Sequence, residues 1–137
     1  MAEDMRRATA ADIPAMLAML ADLHRQSGQP LAFDAATAGR ALAGMIASDD
    51  ALCLFTGTGL LIASVARTAI SPRPVAYEHA WIGGGNGRAL AAAYEAWARG
   101  KGCAAIRLNP RLGDERAAGI LTRMGYAPTE ITWQKAI

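Results

Sequence analysis

The sequence predicts a mixed α/β domain in which about four helices flank a central sheet. Three observations lead to this prediction. Apolar residues recur at helical spacing in four segments, short apolar runs bounded by turn residues alternate with those segments, and a glycine-rich stretch joins a strand-like run to a helix. The expected order of elements is β-α-α-β-β-β-α-β-α-β, which fits helices packed on a sheet.

The N-terminal third predicts one strand and two helices. A short strand lies near residues 5–8, and Thr9 with Asp12 resembles a capping box for the helix that follows. That helix ends at Ser27-Gly28 and has an apolar stripe of Ile13, Met16, Leu17, Leu20 and Leu23. Asp34 is the expected cap of the second helix, whose stripe is Leu42, Met45 and Ile46.

The rest of the chain alternates between strands and helices. "ALCLF" and "LLIASVART" flank the turn "TGTG" and predict a β-hairpin, and "VAYEHAWI" predicts the next strand. A helix over residues 88–99 and a buried strand at "CAAIRL" follow. The last helix ends at Gly125 and is striped by Ala117, Ile120, Leu121 and Met124, and residues 126–137 are expected to form one or two strands.

Composition indicates one globular domain over residues 1–137, without a linker or repeat. The formal net charge is +2, from 14 Lys and Arg against 12 Asp and Glu, and the basic residues are scattered along the chain. A scattered distribution is not the footprint of a nucleic-acid surface. We therefore expect no nucleic-acid partner.

Two features predict a cytoplasmic protein that does not engage a membrane. The N-terminus lacks the basic start and apolar run of a signal peptide, and no apolar segment approaches the roughly 20 residues of a membrane span.

Cys53 and Cys103 lie in apolar runs, where buried free thiols are expected. A disulfide between them is the alternative.

The stretch "WIGGGNGRAL", residues 81–90, carries the clearest functional signal. Backbone N–H groups at a helix start are unpaired, so an anion can bind there, and glycine lets phosphate oxygens approach without a Cβ in the way. A Walker loop requires Lys and then Ser or Thr after its last glycine, and a Rossmann motif requires an acid about 20 residues later. The chain has neither. A mobile glycine turn without a ligand is the alternative.

The chain resembles the GNAT superfamily of acyl-CoA-dependent N-acetyltransferases along essentially its whole length. "GGGNGRALAAAYEAWARGKG" is similar to that family's acetyl-CoA loop and following helix, and the pattern Arg/Gln-x-x-Gly-x-Gly/Ala falls on residues 82–87. "RRATAADIPAMLAML" is similar to its first strand and helix, and "DERAAGILTRMGY" to a later helix. The resemblance implies a central mixed, mostly antiparallel sheet.

The resemblance also implies acetyl-CoA as a cosubstrate, and no metal is expected. The diphosphate would lie on backbone amides of the glycine loop, and the pantetheine arm would pair with the strand before it. The residues implied to bind acetyl-CoA are Ala80, Trp81, Ile82, Gly83, Gly84, Gly85, Asn86, Gly87, Arg88 and Asp114.

The chain departs from the family pattern at three informative positions. Ile82 replaces the Arg or Gln that opens the loop, and Asp114 stands where the family often has Asn. Leu121 occupies the position of a tyrosine that often protonates the departing thiolate. The usual general acid is therefore missing, and Tyr126, Tyr77 or water is the expected replacement. For Tyr126, a packing role is the alternative.

The catalytic base is expected on the strand before the glycine loop. Transfer to an amine requires a base for the attacking ammonium. Glu78 and His79 are the candidates, and neighbouring strand residues face opposite sides, so one of them faces the cleft. We favour Glu78, because desolvation would raise the pKa of its carboxyl into a useful range. The alternative is that Glu78 is an ordinary surface or ion-paired residue and His79 packs against a helix.

The expected function is N-acetyl transfer from acetyl-CoA to a primary amine of a small molecule or peptide. Two other functions stay open: a non-catalytic acyl-CoA-binding or interaction module, which Leu121 favours, and a different phosphate-binding α/β module, such as one for a mononucleotide. A homodimer through "ITWQKAI" is also open, because the family often pairs through its C-terminal strands.

Overall fold

The computed structural model describes residues 4–137 and contains one sheet covered by helices. Its strands are β1 (Arg6–Arg7), β2 (Ala51–Phe55), β3 (Leu60–Ala66), β4 (Val75–Ile82) and β5 (Ala105–Arg107), and its helices are α1 (Ile13–Ser27), α2 (Ala35–Ala47), α3 (Gly87–Gly100) and α4 (Glu115–Arg123). Over the described residues the five strands stand in chain order, and every pair is antiparallel except β4 with β5. The predicted fold class is confirmed.

The helix boundaries follow the capping signals of the sequence. The backbone N–H of Thr9 donates to Asp12 Oδ2 over 2.7 Å, ahead of α1, and Gly28 ends that helix with a left-handed φ of 67°. Asp34 accepts from the backbone N–H of Thr37 over 2.9 Å and caps α2. Arg6 also donates twice to Asp12, an ion pair that the sequence did not reveal, and these bonds hold the pKa of Asp12 well below its usual range.

The core consists of two apolar layers, one on each face of the sheet. The layer under α1 and α2 contains Met16, Leu42, Cys53, Phe55, Leu60, Ile62 and Ala80. The layer under α3 contains Leu52, Leu54, Leu61, Ala63, Ala76, Leu90 and Tyr94. Consecutive residues of β2 and β3 alternate between the layers, because side chains along a strand alternate between faces. Both faces are therefore buried, as the continuous apolar runs of these strands predict.

A β-bulge in β4 changes which face its residues offer. Ala63 pairs with Glu78 and the preceding Ile62 pairs with Ala80, so His79 is the extra residue. Ala76 belongs to the α3 layer, whereas Ala80, four residues later, belongs to the opposite layer. The bulge thus re-aims the second half of β4, and it lies at the residues proposed for catalysis.

The C-terminal part of the sheet is smaller than predicted. Residues 126–137 form no strand, and β5 has three residues that are partly or fully exposed instead of a buried run. A three-residue edge offers few hydrogen bonds to another strand, and Pro128 has no N–H to donate. The large apolar side chains of Ile131, Trp133 and Ile137 are consequently exposed.

Two other expectations concern the thiols and the membrane. Cys53 and Cys103 are free thiols, as expected, although Cys103 is partly exposed rather than buried. Residues 4–137 include no helix of the length and apolarity that crossing a membrane requires.

The turn of the β2–β3 hairpin packs directly against the loop that follows β4. A Cβ on Gly59 would lie 2.5 Å from the carbonyl oxygen of Gly83, and a Cβ on Gly84 would lie 2.2 Å from that of Thr58. The Thr58 hydroxyl donates to the carbonyl oxygen of Gly84 over 3.0 Å. Gly59 and Gly84 therefore allow the two backbones to approach closely, and this contact holds the loop against the hairpin.

We predict that Gly59→Ala destabilises the fold by about 2 kcal/mol, because the added methyl group overpacks a backbone contact. Gly44→Ala is the matched control: it lies inside α2, where a Cβ meets nothing within 4 Å, so it should stabilise by about 1 kcal/mol. Urea unfolding of both variants measures these changes. Equal stability of the two variants would contradict the hairpin contact.

Candidate active site

The candidate site lies where the two parallel strands separate. β4 and β5 pair at Val75 with Ala105, Ala76 with Ile106 and Tyr77 with Arg107, and pairing then stops. Residues 78–82 of β4 continue beyond this point. Among the described residues, no strand pairs with their β5-facing edge. This open edge, which we call the β4–β5 gap, leaves backbone N–H and C=O groups available to a ligand.

Glu78 lies at the point where the gap begins. Its side chain is buried, with the residue 8% exposed, and it faces the α3 layer opposite Ala63. Its carboxyl Oε1 accepts from the backbone N–H of Asn109 over 2.9 Å. Burial raises the pKa of Glu78 to about 7, and the bond from Asn109 opposes that shift. A carboxyl group with such a pKa exchanges protons near neutral pH.

Tyr94 of α3 closes the buried side of this region. It is fully buried, and its hydroxyl donates to the carbonyl oxygen of Arg107 over 3.0 Å. Burial raises the pKa of Tyr94 well above its usual range, and the charge of Glu78 adds to the effect. The sequence did not reveal this contact of the Tyr94 hydroxyl with β5, because the contact depends on how α3 packs against the sheet.

His79 lies on the opposite face from Glu78, as the alternation of strand residues predicts. Its Nε2 lies 2.6 Å from the Ser64 hydroxyl oxygen, within hydrogen-bond distance, and its side chain is partly open to solvent. Desolvation lowers the pKa of His79. On the same face Arg107 donates to the Tyr77 hydroxyl over 3.0 Å, so Tyr77 is also engaged by a neighbour.

The glycine loop, residues 83–87, connects the gap to the start of α3. Gly84 and Gly85 adopt left-handed φ values of 56° and 88°, and the N–H of Asn86 donates to the carbonyl oxygen of Gly83 over 2.8 Å. The Asn86 side chain does not cap α3. Trp81 fastens the start of α3 to β4, because its indole N–H donates to the carbonyl oxygen of Gly87 over 3.1 Å.

This loop fits an anion such as a diphosphate. The first N–H groups of α3 have no side-chain acceptor, and the helix dipole makes that end positive. A Cβ on Gly85 would meet nothing within 4 Å, so this glycine borders open space. Arg88, in the first helical turn, is exposed and adds a positive charge. Ala80 and Ile82 contribute to the apolar layer under α1 and α2, so their backbones rather than their side chains are available.

Three other predicted positions have structural partners. Asp114 accepts from the backbone N–H of Ala117 over 3.0 Å and caps α4. Leu121 is buried in the core. The Tyr126 hydroxyl donates to Glu95 Oε2 over 3.0 Å, and burial together with that carboxylate raises the pKa of Tyr126 well above its usual range. These contacts favour a packing role for Tyr126 and do not bring it to Glu78.

An open polar cavity of about 630 Å³ lies beyond the end of β5. It is lined by Gln26, Ser27, Arg111, Leu112, Gly113, Asp114 and Glu115. Arg111 is anchored there, since it donates to the carbonyl oxygen of Gln26 over 2.7 Å. Arg111 follows Asn109 by two residues, so the cavity lies near the gap. Nowhere in residues 4–137 is a group of three or more His, Cys, Asp or Glu placed to hold a metal ion.

The fold is shared with solved structures that include acetyltransferases. A protein from Arthrobacter sp. FB24 named "putative acetyltransferase" is 27% identical, and the match covers 97% of this chain and 90% of that chain with a TM-score of 0.75. An aminoglycoside acetyltransferase from an uncultured soil metagenomic sample is 14% identical over 97% and 94% of the two chains, with a TM-score of 0.69. A transcriptional regulator from Bacillus halodurans C-125 is 18% identical over 97% and 98%, with a TM-score of 0.73.

These similarities establish the fold, and the likeness at 27% identity supports a kind of reaction. The chain has the GNAT-superfamily fold, as the resemblance implied, and its likeness to acetyltransferases supports an acetyltransferase kind of reaction. No protein-family model matches the chain, and no curated protein matches it. The low identities leave the substrate to be argued from the site itself.

We predict that Glu78 makes stability fall as the pH rises from about 5 to 8. Burial raises the pKa of the Glu78 carboxyl from 4.5 to about 7. The contribution of this group to the free energy of unfolding is therefore fully present below the pKa of the unfolded chain, and it is lost as the pH rises through the pKa of the folded protein. The loss would amount to roughly 3 kcal/mol. Glu78→Gln keeps an acceptor for Asn109 and cannot ionise. The stability of the variant relative to the wild type should therefore increase as the pH rises.

Urea unfolding of wild type and Glu78→Gln at several pH values measures this difference. Acidic groups with lowered pKa values, such as Asp34, act at lower pH and are present in both proteins. Parallel stability curves across pH 5 to 8 would contradict the raised pKa of Glu78.

Proposed function

We propose that the protein is an N-acetyltransferase that transfers an acetyl group from acetyl-CoA directly to a primary amine of a small molecule or peptide. One observation carries the proposal: the β4–β5 gap leads from the glycine loop to a buried carboxyl group, Glu78, with a pKa of about 7. The gap and loop suit a phosphate-bearing thioester, and the carboxyl group suits proton removal from an amine.

Acetyl-CoA would be held mainly by backbone groups. The amides of Gly83, Gly85, Asn86, Gly87 and Arg88 would bind the diphosphate, and backbone groups of residues 79–82 would pair with the pantetheine arm. Gly84 would shape the loop rather than contact the ligand, because it packs on Thr58. Asp114 would act through the position of α4, because its carboxylate is engaged as a cap. When bound, acetyl-CoA supplies an acetyl thioester that an uncharged amine attacks directly.

Glu78 is the proposed general base. At neutral pH a carboxyl group with a pKa of about 7 is partly ionised and strong enough a base to take a proton from the incoming ammonium. His79 is the weaker candidate, because it faces the other side of the sheet and is engaged with Ser64. We assign proton donation to the departing thiolate to water, because Leu121 has no acidic proton and the Tyr126 hydroxyl donates to Glu95.

The acceptor amine is proposed to enter through the polar cavity at the end of β5. Its volume, about 630 Å³, suits a small molecule. Arg111 stands there beside Asp114 and Glu115, so both signs of charge are present and a polycationic acceptor is not specified. We further propose that the protein works in the cytoplasm, where its free thiols would stay reduced, and engages neither nucleic acid nor membrane.

We predict that Asn86→Asp weakens acetyl-CoA binding at least tenfold without weakening the fold. An aspartate at the helix start is a favourable cap, but its charge would repel a diphosphate on the neighbouring amides. Asn86→Ser is the matched control, because it offers a favourable cap at the same position without a charge. Isothermal titration calorimetry with acetyl-CoA measures the effect, and ATP and NAD serve as comparison ligands.

Two results would contradict the proposed ligand. One is the absence of acetyl-CoA binding by the folded wild type. The other is equal affinity of the aspartate and serine variants, which would place the diphosphate away from α3. Preferential binding of ATP would favour a mononucleotide module instead.

We predict that Glu78→Gln lowers kcat by about 100-fold or more, because general-base catalysis contributes on that order. A panel of primary amines, with release of CoA followed by a thiol reagent, first identifies an acceptor. The wild-type rate should then rise with pH through an apparent pKa near 7, and the variant should lack this rise. An unchanged profile in the variant would exclude Glu78 as the base.

A non-catalytic acyl-CoA-binding module is the second candidate function. Leu121 favours it, because this buried residue replaces the usual acid of the family. Acetyl-CoA binding without turnover of any amine in the panel would select this candidate.

We also propose a homodimer through the C-terminal segment, residues 126–137. Trp133 is 91% exposed, which is an unfavourable position for a large aromatic ring unless a second copy covers it. Light scattering coupled to size exclusion should give a dimer mass for the wild type and a monomer mass for Trp133→Asp. A monomeric wild type would contradict the pairing.

A further inference from the structure

Asn109 is joined to Glu78 by two hydrogen bonds across 31 residues of sequence. Its backbone N–H donates to the carboxyl Oε1 over 2.9 Å, and its side-chain Nδ2 donates to the backbone carbonyl oxygen of Glu78 over 3.3 Å. Glu78 is the first residue of β4 beyond the last pair, Tyr77 with Arg107. The two bonds therefore hold the end of β5 against β4 where backbone pairing stops.

These bonds fix the direction of the Glu78 carboxyl group. Oε1 is engaged, whereas Oε2 has no hydrogen-bond partner among the described residues. Oε2 is not fully enclosed by the protein, so it keeps part of the small solvent exposure of this residue. A charged group held by one N–H is oriented without being neutralised. Oε2 is therefore the oxygen available to take a proton.

The surroundings offer Glu78 no competing cation. From α3 comes Tyr94, whose hydroxyl is committed to the carbonyl oxygen of Arg107. From β3 comes the apolar Ala63. The guanidinium of Arg107 lies over the Tyr77 ring on the other face, and His79 faces that side as well. The Tyr126 hydroxyl is committed to Glu95. Within residues 4–137, Asn109 thus supplies the one hydrogen bond to this carboxyl group.

We propose that Asn109 is a positioning residue for the proposed base: its two bonds to Glu78 set the width of the β4–β5 gap at its origin and leave Oε2 free to accept the proton of the acceptor amine. This inference rests on the proposed function, in which Glu78 is the base. It adds a role for a residue that acts through Glu78 and not directly on the substrate.

The test is a carbon-13 NMR titration of the glutamate carboxyl groups, which needs no substrate. The chain has five glutamates, and the signal missing in Glu78→Gln assigns residue 78. Asn109→Ala removes the side-chain amide that links the two strands. The backbone N–H of residue 109 remains, but it is no longer held in position to donate to Oε1. Because that N–H favours the charged form, the pKa of Glu78 should rise above its wild-type value of about 7, by roughly half to one unit.

Arg73→Ala is the control for general loosening of the strand pair. Arg73 donates to the carbonyl oxygens of Gly102 and Cys103 and so fastens the other end of β5, beside the start of β4. This variant should leave the pKa of Glu78 unchanged. An unchanged pKa in folded Asn109→Ala, or an equal shift in both variants, would overturn the proposal.

The positioning role of Asn109 and the proposed function can fail independently of each other. A shift in Asn109→Ala together with absent acetyl-CoA binding would support the positioning and refute the proposed function. Once an acceptor is known, the acid limb of the pH–rate profile should move to higher pH in Asn109→Ala, in step with the NMR value. A fall in kcat at every pH without such a movement would overturn the positioning role.

Discussion

The separation of β4 from β5 is the constraint on which the rest of the site depends. Parallel strands normally continue their pairing, and an unpaired edge leaves backbone groups without partners. Here pairing stops after Tyr77 with Arg107, and the Glu78–Asn109 bonds replace it at that point. The separation creates an open strand edge, a buried carboxyl group at its origin and a glycine loop at its far end. Each of these features would lose its proposed role if the strands closed.

The local elements follow from local signals in the sequence. The apolar periodicity, the cap at Asp34 and the glycine stops at Gly28 and Gly125 locate the helices of the structure. The hairpin before β4 follows from two apolar runs around a glycine turn. The glycine loop was recognisable as a candidate anion site, because a helix start preceded by small residues is a local pattern.

The contacts that organise the site could not be predicted, because they join distant residues. The Glu78–Asn109 bonds and the Tyr126–Glu95 bond each span 31 residues, and the bulge at His79 depends on the register of β4 against β3. The prediction of a strand within residues 126–137 was wrong for a related reason. Its sequence alternates as a strand does, but β5 offers an edge of three residues for it to join.

We propose that a CoA thioester lies in the β4–β5 gap with its diphosphate on the glycine loop. The most direct measurement is the set of backbone amide NMR shifts on addition of acetyl-CoA to the nitrogen-15-labelled protein. We expect the largest shifts at residues 79–82 and 83–88, with smaller ones near Asn109. Shifts confined to the far end of α3 near Lys101, or none at saturating ligand, would contradict it.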